Sequence, residues 1–366
     1  MYHNKTVAVV IPAYNEEKQI RMVIETIPDF VDRIIVINDN STDRTAEIVQ
    51  TIITGQKRSE VTITPIPASM ARTLYNEAEV ILTEQQHKEK MHFTPSRIEN
   101  TDPENARIIL INHLQNAGVG AAIATGYKWC KDHSIDCTAV MAGDGQMDPN
   151  ELESIIKPVI DENIDYVKGN RLIHRSAWLV IPRVRFFGNS ILSILTKIAS
   201  GYWHVSDTQT GYTAISLKGL QALRLYDIYP KYGMPNDILV KLNIAFCTLK
   251  EVEIKPIYRI GEKSKMKLLR VIPKISFLLF KSFFKRLWIK YLFRDFHPLF
   301  LLYHLSIVLF FCMIPVGYII LDKVISGRSI TFQSLIVFIF LFISTFQSVL
   351  FAMWMDMQDN ERLYKN

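Results

Sequence analysis

The stretch MAGDGQMDP, residues 141–149, ends one apolar run and opens the next helix. Thr138 to Ala142 is apolar enough for a buried strand. Gly143, Asp144, Gly145 and Gln146 follow at its carboxyl end, and Asp148-Pro149 with Glu151 forms a helix start. A strand that hands a carboxylate and a carboxamide to its tip, with glycines beside the carboxylate, is built to meet a ligand. In an extended chain Asp144 and Gln146 point to the same side. The glycines let a bulky group approach the backbone.

Working outward, strand-length apolar runs alternate with helical patterns. Val7–Ile11, Arg33–Asn38, Arg107–Asn112, Thr138–Gly143 and Asp165–Lys168 read as strands. Helices are expected near Glu16–Ile27, Ser41–Ile53, Gly120–Asp132 and from Asp148 onward. This order predicts an α/β fold with a doubly wound, mostly parallel sheet, whose ligands bind at the carboxyl ends of the strands. Residues 55–106 interrupt the rhythm. Their helical centre (ARTLYNEAEVILTEQQHKEK, 71–90) lies between prolines, and the stretch is too long for a connection, so it is an insertion: a lid, a partner site or a mobile appendage, the last being favoured.

The 366 residues carry a formal charge of +6, concentrated in one place. Between Arg259 and Arg294 eleven Lys or Arg face one acid, Glu262, so the rest of the chain is mildly acidic and does not read as a nucleic-acid binder. The basic residues interleave with bulky apolar ones, as in ISFLLFKSFFKRLWIKYLFRDF (275–296), the pattern of an interfacial segment facing anionic lipid. Leu299–Leu321 and Ile330–Met355 contain no charged residue. The first, as a helix, would reach roughly 34 Å against a hydrocarbon core of about 30 Å. Expected domains are therefore 1–258 catalytic, 259–296 juxtamembrane, 297–356 two transmembrane helices, and 357–366 a short polar tail. The basic bias places the catalytic domain on the cytoplasmic side. The opening TVAVVIPAYNEE (6–17) goes straight into a strand without a signal-peptide pattern, and the four cysteines form no CxxC pair or disulfide framework, as in a reducing compartment.

The strand ends deliver, in order, VVIPAYNEE (9–17), VINDNSTDRT (36–45), NAGVGAAIATGY (116–127) and GDGQMDP (143–149). Together they resemble the inverting family 2 glycosyltransferases of the GT-A fold. Within these the chain is similar to membrane-bound polyprenyl-phosphate glycosyltransferases of the dolichyl-phosphate mannose synthase and undecaprenyl-phosphate glucosyltransferase type. The resemblance covers nearly the whole chain. It implies a hexosyltransferase with Pro12, Ala13, Tyr14, Glu16, Asp39, Asn116 and Asp144 on the nucleotide-sugar, and Asp144 with Gln146 on a Mg²⁺ or Mn²⁺ ion and the diphosphate. It further implies Arg171, Arg185, Asn189, Arg259 and Lys265 on the acceptor phosphate, with Asp144, Arg171 and Asp237 as the catalytic set. The physical reading agrees: a hard cation among carboxylate, amide and phosphate oxygens offsets the charge that grows on a departing nucleoside diphosphate. The sequence departs from the family at position 142, where alanine replaces the first carboxylate of the usual D-x-D.

Arginine forks suit lipid phosphate, and such an acceptor is already anionic, so no base of tuned pKa is needed. Asp237 stands where a base sits in enzymes that glycosylate hydroxyls. The expected partners are a nucleotide-diphospho-sugar, a polyprenyl phosphate and the membrane, with a homo-oligomer left open. The rival readings are a transferase to a glycolipid or glycan hydroxyl using Asp237, and a silent nucleotide-sugar-binding membrane protein. Asp207 reads as fold support and His304, inside the first span, as a packed or lipid-interface histidine.

Overall fold

The computed structural model describes residues 1–55, 59, 61–67, 70–181, 183–257 and 268–365; for 183–187 and 268–270 it describes the backbone alone. In chain order the elements are β1 (Val7–Ala13), α1 (Ile20–Glu25), β2 (Arg33–Asn38), α2 (Thr45–Thr54), α3 (Glu77–Lys88), β3 (Ser96–Ile98), β4 (Ile108–His113), α4 (Val119–Asp132), β5 (Cys137–Val140), α5 (Leu152–Asp161), β6 (Tyr166–Asn170), α6 (Ala177–Val180), α7 (Arg183–Ser200), β7 (Thr213–Ser216), α8 (Leu217–Ala222), α9 (Met234–Ile244), β8 (Leu249–Glu253), α10 (Leu268–Trp288), α11 (Pro298–Ile325), α12 (Phe332–Glu361) and β9 (Tyr364–Lys365).

The strands form one sheet in the order β3-β4-β2-β1-β5-β7-β6-β8-β9. β1 is buried along its whole length, as expected of a parallel strand covered on both faces. Its alternate residues serve two cores. Ala8 and Val10 pack with α4 residues such as Tyr127 and Ala122, whereas Val7, Val9 and Ile11 pack with Ile20 of α1 and Ile155 of α5. β1 pairs in parallel with β2 and β5, and β2 with β4. β7 runs antiparallel between β5 and β6, so β6 points the same way as β5. The carboxyl ends of β4, β2, β1, β5 and β6 thus share one edge.

Several boundaries differ from expectation for a local reason. Glu16 and Glu17 stay outside α1 because their N–H groups donate to Thr45 Oγ1 at 2.9 Å and Asp43 Oδ2 at 3.1 Å. α2 accordingly starts at Thr45 and not at Ser41, since Ser41, Thr42 and Asp43 are engaged with that loop. Asp148 caps its helix as expected, its side chain accepting from Asn150 N at 2.9 Å.

The insertion is docked, which corrects the expectation of a mobile appendage. Ile63 joins the main core. The buried guanidinium of Arg33 donates to Ser59 Oγ at 2.7 Å, Val61 O at 2.5 Å and Glu104 O at 2.6 Å. Lys128 Nζ donates to Gln86 O at 3.0 Å.

α10 lies against α7 and α9 through Leu192, Ala199, Val240, Ile275 and Leu279. α11 and α12, of 28 and 30 residues, are long and apolar enough to cross a membrane and pack on each other. His304 Nδ1 lies 2.7 Å from Phe300 O, one turn back in α11. The tail is not free: α12 continues to Glu361, and β9 adds in parallel to β8, pairing Tyr364 with Leu249. Where α12 returns to the catalytic domain, Asp356 is fully buried in a fork with the equally buried Arg286, both contacts 2.7 Å.

Candidate active site

The shared carboxyl edge opens into a cleft of about 880 Å³. At one end the turn after β1 is pinned by the turn after β2. Asn15 takes a left-handed conformation (φ +55°), which asparagine tolerates, donates its N–H to Ser41 Oγ at 3.0 Å and accepts Thr42 N–H at 2.8 Å. Pro12, Ala13, Tyr14 and Glu16 line the cleft from this turn, joined by Asp39 and Asn116.

Asp39 is nearly enclosed. It accepts the N–H groups of Ala117 at 2.9 Å and Gly118 at 2.7 Å, and faces His113 Nδ1 at 2.8 Å. Burial works to raise its pKa, but His113 and the two amides outweigh it and hold the carboxyl below the usual aspartate range. The turn they close needs glycine at 118, whose φ is +98°. Gly120 and Ala121, at the start of α4, donate to Pro230 O at 2.9 and 3.2 Å, so that helix end is satisfied by the chain itself.

Asp144 and Gln146 line the middle of the cleft, with Gln146 N–H donating to Asp144 Oδ1 at 3.0 Å. Gly145 sits at φ +76° between them. Beyond lies Arg171, just past β6. Its Nε donates to Asp207 Oδ2 at 2.8 Å and its Nη2 to Asp207 Oδ1 at 3.0 Å. Asn189 of α7 lines the same wall, and the far side is formed by Val271, Ile272 and Ile275 of α10.

Asp237 departs from expectation. It is buried in α9, accepts Tyr229 N–H at 2.8 Å and pairs with Lys241 Nζ at 2.6 Å, one turn along the helix, and it is not among the cleft-lining residues. Its carboxylate ties a loop to a helix. Arg259 and Lys265 lie outside the described residues, as does the side chain of Arg185.

Sequence reasoning passed over Lys18, Asp43, Gln209 and Lys231, which also line the cleft. Lys231 stands in a loop without a motif, and nothing in the sequence marks it. Asp43 lies within the quoted stretch VINDNSTDRT (36–45), where Asp39 drew the attention, and Gln209 follows two residues after Asp207, which read as fold support.

Five acids (Glu16, Glu17, Asp39, Asp43, Asp144) and three bases (Lys18, Arg171, Lys231) line the cleft among the described residues. An anionic donor entering such walls calls for added positive charge. No cluster of three or more His, Cys, Asp or Glu capable of enclosing a metal occurs among the described residues. The set fits instead a cation of the magnesium type, which keeps waters and binds through one or two carboxylates plus substrate phosphates.

The glycosyl transferase family 2 model matches residues 8–68 and 68–224. Among curated relatives, the UDP-N-acetylglucosamine–dolichyl-phosphate N-acetylglucosaminyltransferase of Methanococcus voltae is 28% identical over 261 residues, 70% of this chain and 87% of that protein. An uncharacterized protein of Methanocaldococcus jannaschii is 25% identical over 252 residues, 68% of this chain and 81% of that one. Among solved structures, glucosyl-3-phosphoglycerate synthase from Mycobacterium tuberculosis superposes with a TM-score of 0.46 at 17% identity, covering 77% of this chain and 80% of that one. The family match spans more than half of the chain and covers every strand residue that lines the cleft: this protein belongs to glycosyl transferase family 2.

Proposed function

We propose that the protein transfers a single sugar from a UDP- or GDP-sugar to polyprenyl phosphate, of the dolichyl or undecaprenyl kind, at the cytoplasmic face of a membrane, inverting the anomeric centre. One observation carries this reading: the loops after β1 and β2 and the α10 residues Val271, Ile272 and Ile275 line one and the same cleft. α10 buries Ile275, Leu279 and Arg286 on one side and exposes Phe277, Phe280, Lys281 and Trp288 on another, then leads into the two apolar helices. Aromatic and lysine side chains on one exposed face suit a membrane interface. The M. voltae relative, whose name gives UDP-N-acetylglucosamine and dolichyl phosphate, makes that pair the first to try.

In this mechanism a lipid phosphate oxygen attacks the anomeric carbon as the bond to the diphosphate breaks, and the electron pair leaves with the nucleoside diphosphate. Arg171, held rigid by Asp207, orients the incoming phosphate with its guanidinium charge. The phosphate arrives ionised, so the inward-turned Asp237 is not missed as a base. Glu16 and Asp39 seat the nucleoside, and Asp144 with Gln146 would hold a Mg²⁺ or Mn²⁺ ion together with diphosphate oxygens. That ion would supply charge neutralisation for the leaving group. The apolar wall of Val271, Ile272 and Ile275 excludes water from the reacting centre.

The test incubates the full chain in lipid nanodiscs with polyprenyl phosphate and a panel of UDP- and GDP-sugars, with and without a chelator. One nucleotide-sugar should be consumed with a chelator-sensitive lipid product; consumption of none would reject the reading.

A further inference from the structure

His113, the last residue of β4, is fully buried, and no motif or catalytic argument above makes use of it. Its Nδ1 lies 2.8 Å from Asp39 Oδ1 and its Nε2 lies 2.9 Å from Thr125 Oγ1. A carboxylate that accepts two backbone N–H groups has no proton to give, so Nδ1 carries the proton and donates it to Asp39. Thr125 completes the arrangement from α4, where its hydroxyl also reaches Ala121 O at 3.1 Å. A strand end and the turn before α4 grip one carboxylate from two sides.

A carboxylate offers about four acceptor positions. Oδ1 takes His113 and Ala117 N; Oδ2 takes Gly118 N. One position on Oδ2 is left for a ligand, and Asp39 lines the cleft beside Asn116 and Gly118. Asn116 Nδ2 fixes the same residue again by donating to Asp39 O at 3.1 Å. A buried carboxylate with its partner costs desolvation, and replacing such a pair with apolar groups is often neutral or stabilising. Stability alone is therefore a weak reason to hold a histidine here, whereas aiming a carboxylate is a strong one.

We propose that His113 is a positioning residue of the donor site: its Nδ1–H sets the rotation of the Asp39 carboxylate so that a single Oδ2 acceptor position faces the ring N–H of a nucleobase. Uracil and guanine each present such a donor; cytosine and adenine present ring acceptors that the carboxylate repels. The inference rests on the reading of this end of the cleft as the nucleotide end, and it adds the residue that sets base selection.

The experiment titrates UDP and GDP, each with Mg²⁺, into the full-length protein in nanodiscs, then repeats the better binder as its ring-N-methyl analogue. In the wild-type protein the methyl group should weaken binding about ten- to a hundredfold, the worth of one hydrogen bond to a charged group. His113→Leu should weaken the unmethylated nucleotide by about the same factor and become nearly blind to the methyl group, with the acceptor KM unchanged. His113→Asn, whose amide can stand in for Nδ1–H, should restore affinity to within about threefold of wild type. Equal binding of the methylated and unmethylated nucleotides by the wild-type protein overturns the proposal, and this arm needs no variant to fold. A His113→Asn variant as weak as His113→Leu, or a parallel rise in acceptor KM, overturns it too. A wild-type protein that binds neither UDP nor GDP rejects the donor-site reading itself.

Discussion

Arg171 and Asp207 meet in a two-point fork of 2.8 and 3.0 Å, with the carboxylate 1% exposed and the guanidinium 22% exposed at the cleft wall. The pairing holds Arg171 rigid at the cleft wall. Arg171→Lys keeps the charge and loses the fork, so acceptor kcat/KM should fall by about a hundredfold while donor KM holds. Steady-state kinetics with each substrate varied in turn separates the two. A variant with normal acceptor kinetics would remove Arg171 from the acceptor site.

Burial alone would raise the pKa of Asp207, but Arg171 and, more weakly, Lys168 hold it below the usual aspartate value. A depressed folded value means that the unfolded chain takes up the proton first as pH falls. The stability contributed by Asp207 is therefore complete above its unfolded value of about 3.9 and is lost as pH drops through the lower folded value. Asp207→Asn should flatten that part of the acid-unfolding curve, measured by thermal unfolding at stepped pH.

Lys168 gives a test at the other end of the scale. Burial lowers its pKa to about 8, against the opposing pull of Asp207 and Glu251. Between about pH 8 and 10 the unfolded chain keeps this proton and the folded chain releases it, so stability should rise with pH, by at most about 1.4 kcal/mol per pH unit for this group. Lys290, lowered likewise to about 8 mainly by burial, adds to the slope. Lys168→Met should remove the share that belongs to Lys168.

The strand tips were legible because each carries residues that strand propensity cannot explain: the Asn15 turn, Asp39, Gly118, Asp144. What stayed hidden was tertiary. β7 is four residues, TAIS, and runs antiparallel because β5 and β6 flank it, which no local pattern shows. β9 is two residues whose strand character comes from β8 alone. Asp237 sits in family register, yet Tyr229 N and Lys241 claim it, and neither partner can be read from the helix pattern as a rival to substrate. The insertion read as an appendage because it is too long for a connection; Arg33, a lone charge in an apolar strand, was the overlooked sign that something docks there.

The fork between Arg286 and Asp356 ties α10 to the end of α12. Arg286→Met leaves the Asp356 charge buried without its partner and should cost about 3–5 kcal/mol, seen as a lower unfolding temperature in detergent. The double variant Arg286→Met/Asp356→Leu should recover most of that loss. Failure to recover would mean that the surrounding polar groups, Tyr291 and Asn360 among them, depend on the pair.

Asp144 should be needed for turnover even though Ala142 supplies no second carboxylate. Asp144→Asn is expected to lower kcat by about a thousandfold and to abolish the response to added Mg²⁺, followed as initial rate against metal concentration. A fully active variant would end the assignment of a cation to this loop.

The central claim is that the acceptor is a lipid phosphate and not a hydroxyl. The most direct measurement supplies the nanodisc-embedded protein and its nucleotide-sugar with either polyprenyl phosphate or the corresponding free polyprenol, and identifies products by mass spectrometry. Exclusive formation of the polyprenyl phosphosugar, with the anomeric configuration inverted, is the predicted result. Glycosylation of the free alcohol, with the phosphate left unmodified, would contradict it.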